Sequence, residues 1–162
     1  MAYLLDANVF IQAKNLHYGF DFCPAFWEWM ERKNASGDVF SIEKVNDELQ
    51  AGSDEASDWA AARGDGFFLP ADAAVLPFLG PVSRWALSQG YDPSAVSTFL
   101  QIADYWLVAQ ALAYGHTIVT HEVAAQSLKK IKIPNAAIAL GIRCISPFEM
   151  LRRERARFIW GA

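Results

Sequence analysis

The chain has 162 residues, 53% of them hydrophobic and 20% charged. That length suits one domain with a sizeable core, and that composition excludes a disordered chain. A net charge of −4 argues against gripping nucleic acid over the whole surface, but the signs are unevenly divided: residues 1–80 carry 13 acids against 5 bases, and residues 81–162 carry 5 against 9. No apolar run approaches the ~20 residues of a bilayer span, and the Met-Ala-Tyr start lacks the charged region of a signal peptide, so a cytoplasmic protein is expected. Cys23 and Cys144 show no CxxC pairing and read as two buried free thiols.

Tyr3-Leu4-Leu5 is a short apolar run ending in Asp6 and reads as a buried first strand with the acid at its carboxyl end. The spacing of Phe22, Phe26, Trp29 and Met30 predicts a first helix over 21–33, closed by Asn34, Ser36 and Gly37. Val39–Ile42 alternates as a second strand, and the pair Val45 and Leu49 with Gly52 beyond gives a second helix. Residues 53–65 read as an acidic surface helix or loop around Trp59, Phe67–Leu69 as a short strand, and 72–88 as helical despite Pro77 and Pro81. Asp92-Pro93 has the form of an N-cap followed by proline at the first helical position, opening a helical region from Ser94 to Tyr114 that stops at Gly115. Thr117–Thr120 and Arg143–Ser146 are the last strands, and Leu151–Phe158 a closing basic helix. Strands alternating with helices predict one domain over 1–162: a three-layer α/β/α sandwich with a mainly parallel central sheet.

In such sheets ligands gather beyond the carboxyl ends of the strands, which singles out Asp6 and Glu122. Asp104 interrupts the apolar register Leu100, Ala103, Leu107, Ala111, so it is unlike a freely solvated acid. A buried carboxylate must be paired, protonated or neutralised by a cation. Taken singly, each acid is equally an N-cap or a surface residue; a shared metal ion relieves several burial costs together.

Leu4-Leu5-Asp6-Ala7-Asn8-Val9-Phe10 resembles the opening strand of PIN-domain nucleases. Val45-Asn46-Asp47-Glu48-Leu49-Gln50-Ala51-Gly52 is similar to that family's V-x-x-E-L-x-x-G helix, Ala103 to Ala109 to its D-x-x-L-x-A helix, and Ile118-Val119-Thr120-His121-Glu122 to its last acidic strand. The resemblance covers residues 3 to about 148 and rests on the order and spacing of the motifs. It implies a PIN-type sandwich and metal-dependent RNA cleavage, commonly as the VapC-like toxin of a toxin–antitoxin pair. The implied catalytic and metal-binding acids are Asp6, Glu48, Asp104 and Glu122, with Asn8 and Thr120 orienting them. The chain departs from the family pattern at Glu122, where aspartate is commoner, and in an aromatic insertion around residues 17–33. A homodimer, a cognate antitoxin and an RNA substrate are the implied partners.

The expected cofactor is Mg²⁺ or Mn²⁺: such an ion favours oxygen ligands, takes only one or two carboxylates directly, and activates water while neutralising the scissile phosphate. Lys129, Lys130 and Lys132 are the foremost candidates for RNA contact, ahead of Arg152, Arg153, Arg155 and Arg157. Phe22, Phe26, Trp27 and Trp29 could stack bases, but core packing or a protein interface suits them better, with Trp27 outside the stripe set by the others. His17, His116 and His121 show no zinc-type pairing, and His121 stands out only as the neighbour of Glu122. With Val45 as zero on a wheel of ~100° per residue, Leu49 lies near +40°, Glu48 near −60° at the stripe border, and Glu43 and Asp47 near ±160° towards water. Two rival classes are a catalytically inactive PIN-like interaction module and a haloacid-dehalogenase-like phosphatase. The latter needs a second aspartate where Asn8 stands.

Overall fold

A computed structural model describes residues 2–161. Five short strands, β1 (Tyr3–Leu5), β2 (Val39–Ile42), β3 (Phe68–Leu69), β4 (Thr117–Val119) and β5 (Cys144–Ile145), form an all-parallel sheet in the order β3-β2-β1-β4-β5. Tyr3 pairs with Val39 on one side and Thr117 on the other, and Leu5 lies beside Val119. Leu4, Leu5, Val39, Ile118 and Val119 are fully buried, as strands covered on both faces require. The covering helices are α1 (Ala7–Gln12), α2 (Pro24–Ala35), α3 (Glu43–Gln50), α4 (Glu55–Ala61), α5 (Leu76–Ser88), α6 (Pro93–Gln101), α7 (Ala103–Tyr114), α8 (Ile133–Leu140) and α9 (Pro147–Arg153). The architecture is the expected α/β/α sandwich, and no helix among the described residues is long and apolar enough to cross a membrane.

Several expectations are corrected. The first helix begins directly at Asp6, whose side chain accepts the Ala7 N–H at 2.7 Å, and continues as a π-helical turn over Ala13–His17. The helical region from Ser94 to Tyr114 is two helices: Ile102 is extended (φ −113°, ψ 170°) while the apolar pattern runs on past it. Pro93 opens α6, but the Asp92 side chain makes no capping bond. Helix α8 lies in a stretch that carried no element, although Pro134 in its first turn and Gly141 at φ 71° after its end are the usual brackets. The closing helix starts at Ser146-Pro147, where the Ser146 hydroxyl accepts the Glu149 N–H, and stops before Glu154. Glu154 instead accepts bonds from Tyr3 at 3.0 Å and Lys33 at 2.8 Å, which pins the last residues to β1 and α2.

Both cysteines are free but half-buried. Trp27 is only 2% exposed: its indole N–H donates to the Tyr18 carbonyl at 2.7 Å, and its ring stacks on Phe20 with centroids 4.0 Å apart. The segment before α2 thus folds over the side of the helix that the wheel left to solvent. Phe26 is buried too, Trp29 packs against the core, and Phe22 alone of the four is exposed.

Candidate active site

The carboxyl ends of β1 and β4 lie side by side at the centre of the sheet, so the residues that follow them meet although more than a hundred positions separate them. The Asp6 N–H donates to the Val119 carbonyl at 3.0 Å, which turns the side chain of Asp6 across the end of β4. Its Oδ1 caps α1 and its Oδ2 accepts the Thr120 hydroxyl at 2.8 Å. Thr120 Oγ1 in turn accepts the Asn8 side-chain N–H at 3.1 Å and the Glu122 N–H at 3.0 Å, and Asn8 Oδ1 accepts the His121 N–H at 3.1 Å. One buried hydroxyl therefore fixes the two strand ends: it touches Asp6 directly, whereas Asn8 reaches Asp6 only through it. Burial pushes Asp6 up to about 6; the Thr120 bond pulls against that rise and the charge of Glu122 adds to it.

Asp104 stands in the first turn of α7 and is half-buried. Burial first, and then the charges of Asp6, Glu122 and Glu48, push it up to about 8, opposed by Lys130. Glu48 sits in the last turn of α3, and although exposed it turns its Oε1 onto the Ala103 N–H at 3.2 Å. That amide is free to donate because Ile102 interrupts the helix before it. Glu43 and Asp47 on the same helix are also exposed. Glu122 follows β4 with its side chain 12% exposed, and its Oε2 has no hydrogen-bond partner, with Lys132 Nζ at 3.7 Å.

Burial and the charges of the neighbouring acids thus raise the proton affinity of Asp6 and Asp104, yet among the described residues no three His, Cys, Asp or Glu side chains stand at chelating distances. The oxygen-only donor set of these acids suits a hard divalent cation, and the orphaned Glu122 oxygen marks a donor still to be used. The same negative field reaches Cys144, whose thiol is pushed up to about 11 by burial and then by Asp6 and Glu122, so it is no nucleophile at neutral pH.

Lys129 and Lys130 are exposed, whereas Lys132 lies against Glu122. Of the four C-terminal arginines, all exposed, Arg153 pairs with Glu149 at 2.7 Å. The His121 ring stands 5.4 Å from His17 and 5.6 Å from Phe148, and burial together with His17 lowers its pKa. Sequence reasoning flagged His121 and named His17 without linking the two, because only the fold brings their rings and that of Phe148 together. His116 is elsewhere, stacked between Phe40 and Tyr114.

A family model described as a domain of unknown function (DUF4411) matches residues 3–158. None of the curated proteins compared with the chain matches it. Among solved structures, a chain in the crystal structure of VapBC2 from Rickettsia felis bound to a DNA fragment from their promoter is similar, with a TM-score of 0.54 and 16% identity, over 90% of this chain and 98% of that one. At that identity the likeness is one of fold.

Proposed function

For this chain, which belongs to the DUF4411 family, we propose a metal-dependent endoribonuclease of the PIN type, hydrolysing RNA phosphodiester bonds as the toxin of a toxin–antitoxin pair. The supporting observation is that Asp6, Glu122 and Glu48, from three other segments, each add their charge to the burial that pushes Asp104 up to about 8. Stability alone does not call for such a gathering of like charges; charge neutralisation by a cation does.

In this reading the four acids hold Mg²⁺ or Mn²⁺, which when bound activates water and screens the scissile phosphate. Thr120 fixes the Asp6 carboxylate that would help to hold the ion, and Asn8 holds Thr120. Asp104, pushed up to about 8, would give up its proton on binding the ion, whereas Asp6, at about 6, is already mostly ionised at neutral pH. Lys129 and Lys130 draw the phosphate backbone to an otherwise repulsive acidic centre. Lys132, whose Nζ lies 3.7 Å from Glu122 Oε2, would be released for phosphate contact if Glu122 were to hold the ion. The protein works in the cytoplasm, as a homodimer silenced by a small cognate antitoxin.

The second reading is an inactive PIN-like interaction module. It draws on the Lys132–Glu122 contact and on the lack, among the described residues, of three ligands already in place. Cleavage of a mixed-sequence RNA in Mg²⁺ or Mn²⁺, against chelator and against Asp6→Asn, separates the two. Divalent-dependent cleavage lost in Asp6→Asn supports the nuclease; no cleavage in any metal leaves the module.

A further inference from the structure

A cavity of about 240 Å³ has walls that come from α6 and Ile102 and from the loop before α8. Its floor is apolar, made by Phe99 and Ile131, and Thr98 stands exposed at its rim. Lys129 and Lys130 also line it, and neither enters an ion pair among the described residues. The cavity is smaller than the roughly 300 Å³ at which drug-sized sites begin, so it suits one flat ring system and not a whole cofactor.

Its position ties it to the candidate site. Ile102 is part of the wall, and the next two residues are Ala103, held by Glu48, and Asp104. On the opposite wall Ile131 is followed by Lys132, the neighbour of Glu122, and the charge of Lys130 is felt at Asp104. An apolar slot flanked by two cations outside any ion pair among the described residues, with Ile102 two positions before Asp104 in its wall, matches a base with the phosphates on either side of it.

We propose that this cavity is a nucleobase subsite, seating one base of single-stranded RNA next to the scissile phosphate, with Lys129 and Lys130 on the flanking phosphates. The proposal rests on the ribonuclease reading for its substrate class, but its test needs no cleavage. A short single-stranded RNA carrying one 4-thiouridine, scanned through successive positions, is bound to the full chain in chelator, irradiated, and the crosslinked peptides identified. One thiouridine position should crosslink to the Phe99–Ile102 or Lys129–Ile131 peptides. Thr98→Trp, which fills the slot from its exposed rim, should abolish that crosslink and weaken RNA binding about tenfold, as loss of one stacked base does. The double variant Lys129→Ser, Lys130→Ser, at exposed positions outside any ion pair among the described residues, should weaken binding and flatten its salt dependence. Crosslinks confined to other peptides, or RNA binding unchanged in Thr98→Trp, overturn the subsite and leave the slot to another occupant such as a protein segment. Absence of divalent-dependent cleavage with these crosslinks intact would instead count against the nuclease alone.

Discussion

Replacing Asp104 by asparagine removes the carboxylate with the largest upward shift of the four while keeping its shape. In the unfolded chain this acid titrates near its ordinary 3.8, and in the fold it is pushed up to about 8. Between those values the folded chain holds a proton that the unfolded chain has shed, so stability falls as pH rises, by about 1.4 kcal/mol for each pH unit. At pH 7, some three units above 3.8, the penalty would reach about 4 kcal/mol; because the side chain is half-buried, solvent screening brings it to roughly 2–4 kcal/mol. The penalty is absent below pH 3.8 and complete above pH 8. Urea unfolding of both proteins in chelator, from pH 4 to pH 9, should show Asp104→Asn equal to the parent near pH 4 and increasingly more stable up to pH 8. Mn²⁺ should close the gap from the parent's side by stabilising the parent alone. A gap that is constant with pH, or that narrows as pH rises, would refute the crowding of acids on which the site rests.

Glu48→Gln is expected to remove most RNA cleavage and to weaken Mn²⁺ binding, while Glu43→Gln and Asp47→Asn change either little; single-turnover cleavage and calorimetric titration of the three compare them directly. Thr120→Val strands Asp6 Oδ2, the Asn8 amide and the Glu122 N–H, and should cost about 2–3 kcal/mol in denaturant melts. It should also raise the Asp6 titration, followed by carboxyl NMR, above about 6, with Thr120→Ser restoring both; a Val variant that titrates like the parent would remove Thr120 from the site. Trp27→Ala should destabilise by about 3–5 kcal/mol as a core truncation, whereas Phe22→Ala stays within about 0.5 kcal/mol. Equal effects in urea melts would contradict their different burial.

Much of the sheet was legible because its strands are short apolar runs with charged or turn residues at their ends, as in Leu4-Leu5-Asp6 and Thr117–Thr120. The phase of α3 was legible from two residues, Val45 and Leu49, and it singled out Glu48 as the carboxylate able to reach across to α7. Asp104 showed itself by breaking an apolar register. The break at Ile102 left no such mark: an isoleucine continues the hydrophobic period, and only its extended backbone ends the helix. Helix α1 was hidden because six residues give too little periodicity, and Trp27 was misplaced because a wheel knows one helix and not the loop folded over it. The Lys132–Glu122 contact and the cavity lined by Phe99 and Ile131 join residues from separate segments, which no local pattern encodes.

The place of β1 in the middle of the sheet bears on how the protein is made. Tyr3–Leu5 leaves the ribosome before the other strands of the sheet, but its neighbour β4 is 114 positions later by the register of Tyr3 with Thr117. At about 5–20 residues per second the first strand waits roughly 6–23 s with one edge unpaired. Asp6 cannot meet Thr120 and Glu122 until that edge is closed. A growing chain therefore carries its acids apart, and the acidic centre comes together only after β4 has emerged.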